Sequence, residues 1–318
     1  MSRIIQILVL LSLFIACVND TKKNDELPKV DFDILRFEQQ FYKANETSLG
    51  KLKNKYSYMF PSNVHDSVWL HKINNDQEQF LFSESQRVFN DFSAEQVQLT
   101  GLFQQIKYRN INFKVPNIIS HISNLDFQYP VIYADSLLFI SLDMYLEKDH
   151  IAYSDFPRYL SQNFTKDRLI VDVSEQVNRK LYRNIRARSF RDKMLNEAKF
   201  VFANELNLPL VDKHLIIGYS KEKFEWAVKN ESDVWKYFIE NEILYSTESS
   251  LNARFLDLAP FSKFYLESDN DSPGRIGVWM GWQIIRSYMK NNDVTLQELM
   301  KASPEIIYNK SKYKPRKD

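Results

Sequence analysis

Apolar residues recur at helical spacing through the first third of the chain. Phe32, Leu35 and Phe37 begin this pattern, which extends over residues 31–109 and includes a long amphipathic run at residues 78–108. Apolar positions three or four residues apart place one face of a helix against a core. We therefore predict helices up to residue 109, with the longest one over the amphipathic run.

The pattern changes between residues 115 and 146, where β-branched residues and alternation of apolar with polar positions indicate strands. Three short strands of one small sheet are predicted, over residues 115–122, 131–133 and 137–142. The segment Ala134-Asp135-Ser136 between the last two is short enough to form a hairpin turn.

Helical spacing returns after residue 154 and continues through most of the remaining chain. The predicted helices cover residues 157–163, 167–182, 191–206, 221–228 and 232–245. Helices on both sides of a few strands indicate an α+β fold, in which a mainly helical single domain carries a small central β-sheet.

A last long helix is predicted from its start signals. Ser272 is a natural N-cap and Pro273 suits the first helical position, so a helix that includes Gly274 is expected. Gly274, Gly277 and Gly281 then fall on one side and leave a smooth stripe. Three interior glycines cost up to about 3 kcal/mol of helix propensity relative to alanine. Either another backbone packs very closely there, or the stripe lines a groove for an extended ligand.

The adjoining face of this helix carries Arg275, Trp282 and Arg286 at positions i, i+7 and i+11. Arginines in such a row can bind a carboxylate ligand. The same row is also typical of a structural ion-pair face. The sequence leaves both interpretations open.

The first 17 residues contain a secretion signal that ends at the chain's only cysteine. Arg3 precedes an apolar stretch at residues 4–15, which is too short to span a bilayer, since a span needs about 20 residues. Ala16 before Cys17 is typical of a lipoprotein cleavage site, so acyl chains are expected on Cys17. The predicted parts are a signal peptide at residues 1–16, an acylated polar tether at residues 17–30 and one globular domain at residues 31–318. Two or three acyl chains hold a protein durably at a membrane, so we expect it in the cell envelope, facing the periplasm.

The composition and the motifs argue against several classes of partner and cofactor. With 42 Lys and Arg against 41 Asp and Glu, the net charge of +1 gives no electrostatic reason to expect nucleic acid as a partner. Acylation of Cys17 would leave no thiol for a disulfide, a nucleophile or a metal ligand. No cofactor is expected, because the sequence contains no phosphate-binding glycine loop and no dinucleotide fingerprint.

Several segments resemble the gliding motility lipoprotein GldB family, and together they cover nearly the whole chain after the signal. The C-terminal ones are Ala259-Pro260-Phe261-Ser262-Lys263-Phe264, Ser272-Pro273-Gly274-Arg275-Ile276-Gly277 and Trp279-Met280-Gly281-Trp282-Gln283-Ile284. The others are Asp31-Phe32-Asp33, Arg36-Phe37-Glu38, Ser141-Leu142-Asp143-Met144-Tyr145-Leu146, and residues 219–226 and 230–235. The resemblance implies a lipid-anchored envelope protein required for gliding, linked to secretion of surface adhesins and working with protein partners of that machinery.

The order of a strand, a helix and the glycine-bearing C-terminal helix along the chain is also similar to the order in zinc peptidases, which carry a His-Glu-x-x-His helix. That chemistry needs two histidines at i and i+4, a glutamate base and a third metal ligand. Here the matching helix reads Ser174-Glu175-Gln176-Val177-Asn178, and Glu197 stands where the third ligand would be. The glutamate is present but both imidazoles are missing, so Ser174, Glu175, Asn178 and Glu197 are interpreted as a candidate vestigial pocket in a degenerate zincin-like fold.

The leading hypothesis is therefore a lipid-anchored, non-catalytic accessory of gliding and secretion, with no metal ligand and no catalytic residue assigned. Two alternatives stay open. One is a peptidase-like hydrolase that uses Glu175 and Glu197, and the other is an envelope lipoprotein that binds a small ligand in an aromatic pocket near Trp226, Trp235 or Trp282.

Overall fold

The structure, a computed structural model, describes residues 27–183 and 185–316. Cys17, the predicted signal peptide and most of the predicted tether lie outside the described residues. Within the described ranges, no helix is both long enough and apolar enough to cross a membrane.

A small mixed sheet lies near the middle of the fold. Its strands β1 to β4 are Ile34–Arg36, Asn117–His121, Val131–Ala134 and Leu137–Ser141, in the spatial order β1-β2-β4-β3. Strands β1 and β4 run parallel to β2, and β3 pairs antiparallel with β4. The predicted hairpin joins β3 to β4, and Asp135 in its turn has a φ of 50°. Strand β1 corrects the prediction of a helix at this position: Ile34 pairs with Ile118, a partner so distant that local periodicity does not reveal it.

Helices form the rest of the domain. Numbered α1 to α15 in chain order, they are Phe37–Phe41, Glu46–Lys55, Asp66–Ile73, Asp76–Val88, Ser93–Arg109, Arg158–Ser161, Lys166–Leu181, Phe190–Asn207, Lys213–Ile217, Lys221–Lys229, Glu231–Glu240, Ser250–Phe255, Ile276–Asn291, Leu296–Lys301 and Pro304–Ser311. The mainly helical α+β prediction is confirmed.

Two predicted helices are wrong in their extent. The amphipathic run at residues 78–108 is divided between α4 and α5, because the chain turns at Phe92, which has a φ of 59°. The apolar pattern continues across this turn because Phe89 and Phe92 both pack in the core. The helix predicted at residues 232–245 ends at Glu240, since Glu242 also takes a left-handed conformation.

Helix α13 is the centre of the C-terminal half. It is buried on nearly all sides and packs most extensively against α8 and α15. An apolar helix buried all round is typical of the core of a large domain. Its start differs from the prediction: the helix begins at Ile276, after a left-handed Arg275, so Ser272 is not its N-cap and Gly274 lies outside it.

A buried carboxylate ties the first strand to the sheet. Glu38 is fully buried, and its two oxygens accept hydrogen bonds from Arg36 Nε at 2.6 Å and from Ser120 Oγ at 2.7 Å. A buried charge is tolerated when it is paired and hydrogen-bonded. This contact fixes the end of β1 against β2.

Candidate functional site

A cleft opens between helix α7, the start of α13 and the loops that precede α7 and follow α9. It has two adjoining parts, whose linings share residues Tyr159, Asn163, Ile217, Gly218, Leu258 and Arg275. The part lined by Tyr219, Lys223 and Gly274, here the Tyr219 chamber, has a volume of about 260 Å³. The part lined by Tyr145, Arg168, Asp172 and Glu175, here the Glu175 chamber, has a volume of about 240 Å³.

Glu175 projects into its chamber from the middle of α7 and is held by arginines. Its Oε1 accepts hydrogen bonds from Arg179 Nη2 at 2.8 Å and Nε at 3.0 Å, and Arg168 Nη2 lies 3.9 Å from its Oε2. Burial opposes ionisation of this carboxyl, but the charges of Arg179, Arg275 and Arg168 together outweigh it, so the pKa of Glu175 is lowered. Glu175 is therefore an ionised member of an ion-pair network rather than a free, solvated carboxylate.

Asp172, one turn earlier on α7, belongs to the same network. It accepts hydrogen bonds from Arg168 Nε at 2.8 Å and from the Tyr145 hydroxyl at 3.0 Å. Burial and the nearby Glu175 charge raise the pKa of Asp172 despite the opposing charge of Arg168. The sequence interpretation did not single out Tyr145, Arg168 or Asp172, although Tyr145 lies in a segment that carries the family resemblance.

Ser174 and Asn178, where a zinc peptidase would carry its histidines, point away from the cleft towards α8. Ser174 Oγ and Asn178 Nδ2 both donate to Asn204 Oδ1, at 2.8 and 2.9 Å, and Asn207 Nδ2 donates to Asn178 Oδ1 at 3.2 Å. These side chains are buried. They form a polar contact between two packed helices, which is a structural role.

Glu197 does not share a cavity with Glu175. It lines a separate depression with Lys193, Asn196 and Asn252, and it joins Glu175 only through Arg179, whose Nη2 donates to Glu197 Oε2 at 2.8 Å. The four residues of the candidate vestigial pocket thus lie on the same helix pair, and within residues 27–183 and 185–316 Glu175 and Glu197 line different depressions.

The glycines of the predicted stripe lie against other parts of the protein. A Cβ on Gly281 would stand 2.8 Å from the Met194 carbonyl oxygen of α8, and one on Gly277 would stand 2.9 Å from that of Phe255. One on Gly274 would stand 2.1 Å from the Ala259 carbonyl oxygen. These distances leave no room for a methyl group, so the contacts favour close packing over an open groove.

Arg275, Trp282 and Arg286, which were predicted to lie in a row, are in two different environments. Trp282 Nε1 donates to Glu205 Oε2 at 2.8 Å, and Arg286 makes a bidentate pair with the same carboxylate through Nε at 2.9 Å and Nη2 at 2.8 Å. This is a structural ion-pair face. Arg275, in contrast, lines both chambers of the cleft.

The histidines do not gather into a site. His65 and His150 cap short helices, His121 contacts Ser141 in the sheet, and His214 lies 4.0 Å from Asp212. Across residues 27–183 and 185–316, no group of three His, Cys, Asp or Glu side chains is arranged to hold a metal ion. The tryptophans of the proposed aromatic pocket are also dispersed, since Trp226 lines a surface depression while Trp282 is buried in the core.

Comparison with known proteins gives one finding. No curated protein and no solved structure matches the chain. The sequence model of the family described as gliding motility protein GldB matches residues 19–315, nearly the whole chain. The chain therefore belongs to the gliding motility protein GldB family.

Proposed function

We propose that this protein is a lipid-anchored, non-catalytic accessory of gliding motility and of the secretion apparatus associated with it. Acyl chains on Cys17 would hold it at a membrane of the cell envelope, with the folded domain facing the periplasm. There it would bind protein partners of the gliding or secretion machinery. Family membership supports the role in gliding.

The observation that carries the non-catalytic assignment is the hydrogen-bonding of α7. A metallopeptidase needs metal ligands at two positions of this helix and a free carboxylate base beside them. Ser174 and Asn178 instead bond to Asn204 between packed helices, and Glu175 is paired with Arg179. A carboxylate with a lowered pKa that is already hydrogen-bonded to a guanidinium is a weak general base.

The test is Glu175→Gln in cells that lack the native gene, scored for gliding and for delivery of a surface adhesin. We expect both to stay within about twofold of the parent at matched protein level, because the amide oxygen still accepts from Arg179. Glu205→Gln is the matched control, since it makes the same change in an ion pair outside the cleft. Loss of gliding in a Glu175→Gln protein that melts like the parent would contradict the assignment.

Metal content gives a second, independent test. The purified protein should contain no stoichiometric zinc. Zinc at one equivalent that disappears in Glu197→Gln would establish the peptidase-like alternative of a degenerate zincin-like fold.

The remaining alternative, an envelope lipoprotein that binds a ligand, is favoured by one feature. The two adjoining chambers beside Arg275 are lined by both apolar and charged side chains, which is the usual character of a ligand site.

A further inference from the structure

Arg275 is a partly buried cation that the protein itself leaves unpaired. Its Nε donates to the Leu256 carbonyl oxygen at 3.3 Å. Within the part of the chain that the structure describes, its two terminal nitrogens make no hydrogen bond, and no carboxylate lies within 4.0 Å of its guanidinium. The other arginines around the cleft, Arg158, Arg168 and Arg179, each have a carboxylate partner.

Tyr219 presents a second unpaired polar group in the same place. The side chain is 7% exposed and lines the Tyr219 chamber, and its hydroxyl is buried without a hydrogen-bond partner among the described residues. Buried hydroxyls are normally satisfied, and leaving one unpaired costs free energy. Arg275 is close enough for its charge to act on the pKa of Tyr219, which burial raises. Tyr219 and Arg275 therefore line one cavity, and each carries a polar group without a side-chain partner among the described residues, although the Tyr219 hydroxyl itself is covered.

The charges around this chamber favour a negative ligand. Its described lining contains Arg158, Lys223 and Arg275 and no acidic residue. Arg158 is paired with Asp149, and Lys223 Nζ donates to the carbonyl oxygens of Asn270 at 2.6 Å and Ser272 at 3.0 Å. Among the described residues, neither Lys223 nor Arg275 has a carboxylate partner within 4.0 Å, although the charge of Glu175 in the adjoining chamber acts on Arg275. The lining of the Tyr219 chamber therefore carries a net positive charge that suits an anionic group.

The backbone at Arg275, which carries the guanidinium, is held in place before any ligand binds. It is left-handed, with a φ of 58°, and the preceding Gly274 is pressed against the Ala259 backbone. The residue also stands at the start of the long helix α13, whose dipole is positive at this end. Preorganised donors lose little conformational freedom on binding.

We propose that the Tyr219 chamber binds the carboxylate of a ligand with an uncharged, largely apolar body. The Arg275 guanidinium would receive the two carboxylate oxygens, because its planar array of donors matches a carboxylate in both geometry and charge. The Tyr219 hydroxyl, which is covered in the free protein, would turn towards the chamber and donate to one of these oxygens. Ile217, Leu258 and Pro260 supply apolar walls. This binding site goes beyond the proposed accessory function and does not depend on it.

Two sources of such a carboxylate are a peptide C-terminus and a small free acid. The chamber of about 260 Å³ has room for one terminal residue, and the adjoining Glu175 chamber of about 240 Å³ is the neighbouring space that a preceding residue would take. The cleft therefore has room for the end of an extended chain.

The test is calorimetric titration of the purified full-length protein in detergent with three probes: N-acetyl-leucyl-leucine, its C-terminal amide, and acetate. We expect the acid to bind at least about tenfold more tightly than the amide, since one charge-assisted contact is lost. If N-acetyl-leucyl-leucine binds much more tightly than acetate, the ligand is a peptide C-terminus. If N-acetyl-leucyl-leucine and acetate bind equally tightly, the ligand is a small free acid. Tighter binding of inorganic phosphate than of either acid overturns the proposal.

Two variants locate the site. Arg275→Lys keeps the charge but removes the fork, and Tyr219→Phe removes only the unpaired hydroxyl, so each should weaken binding of the acid by about tenfold. Tyr219→Phe should melt at or above the temperature of the parent, because no contact within the protein is lost. Arg286→Lys, on the same helix but outside the cleft, is the control and should bind like the parent. The proposal is overturned if the acid and the amide bind equally, or if either cleft variant binds the acid as the parent does.

Discussion

The hydroxyl of Ser262 accepts a hydrogen bond from the backbone N–H of Ile276, with a distance of 3.2 Å between oxygen and nitrogen. The same hydroxyl donates to the Pro273 carbonyl oxygen at 2.7 Å. Ser262 thus caps the first residue of α13 from a separate loop. This contact joins two of the segments on which the family resemblance rests.

We predict that Ser262→Ala lowers the free energy of unfolding by about 1–2 kcal/mol, because the backbone N–H of Ile276 and the carbonyl oxygen of Pro273 would both lose their hydrogen-bond partner. Urea denaturation of the purified protein measures this difference. Ser268→Ala, in the exposed turn of the following loop, should change stability by less than about 0.5 kcal/mol. Equal stability of the two variants would show that Ser262 is not the cap.

Gly277→Ala and Gly281→Ala should each lower the melting temperature. Their added methyl groups would meet the carbonyl oxygens of Phe255 and Met194 at 2.9 and 2.8 Å, so overpacking of about 1–3 kcal/mol should exceed the gain in helix propensity.

Gly101→Ala is the matched control for these variants. Gly101 lies inside α5, and a Cβ there has no neighbour within 4 Å. Its substitution should stabilise the protein by about 0.5–1 kcal/mol. If Gly277→Ala or Gly281→Ala were instead stabilising and abolished gliding, the glycine face would be a binding surface.

Lys199 should make stability depend on pH in the alkaline range. Burial lowers the pKa of Lys199 from 10.5 to about 8, although Nζ donates to the Ala302 carbonyl oxygen at 2.7 Å. The unfolded chain therefore binds more protons than the folded one between these two values, so the free energy of unfolding should rise with pH across this window.

Comparison with Lys199→Met isolates this effect from the titration of other groups in the alkaline range. Between pH 8 and 9.5 the parent should gain about 1–2 kcal/mol relative to the variant. Parallel pH profiles of the two proteins would mean that Lys199 titrates alike in the folded and unfolded chains.

Cys17→Ala should prevent acylation and leave the precursor uncleaved by the lipoprotein peptidase. Labelling cells with radioactive palmitate and comparing precursor and mature sizes on a gel measures both effects. Palmitate that still enters the variant would contradict the predicted anchor.

The sequence predicts best what local spacing determines. The hairpin around Asp135 and the helices α7, α8 and α10 follow from the repeat of apolar residues, because each buries one face locally. Strand β1 depends on Ile118, which lies far from Ile34 in the sequence, and the start of α13 depends on Ser262, which lies 14 residues before Ile276 in a separate loop. Contacts of that kind leave no mark on local periodicity.

The candidate site likewise combines residues that the local sequence indicates with features that only the tertiary packing determines. Glu175 could be found because its helix resembles a known motif, and Arg275 because it begins a well-marked segment. The unpaired hydroxyl of Tyr219 could not be predicted, since whether a tyrosine hydroxyl finds a partner depends on the tertiary packing around it. The separation of Glu175 from Glu197 likewise follows from the position of Arg179 between them.

The chain enters the folded domain through strand β1, which pairs with β2 over only three residues, whereas β2 and β4 pair over five. If a lipid anchor precedes it, mechanical tension between membrane and domain acts on the contacts of Phe32 with Phe103 and of Asp33 with Asn117, and then on this shortest pairing. The buried Glu38, bonded to both Arg36 and Ser120, stands directly behind the strand. Strand β1 therefore cannot leave the sheet without breaking either the bond between Arg36 and Glu38 or the one between Glu38 and Ser120.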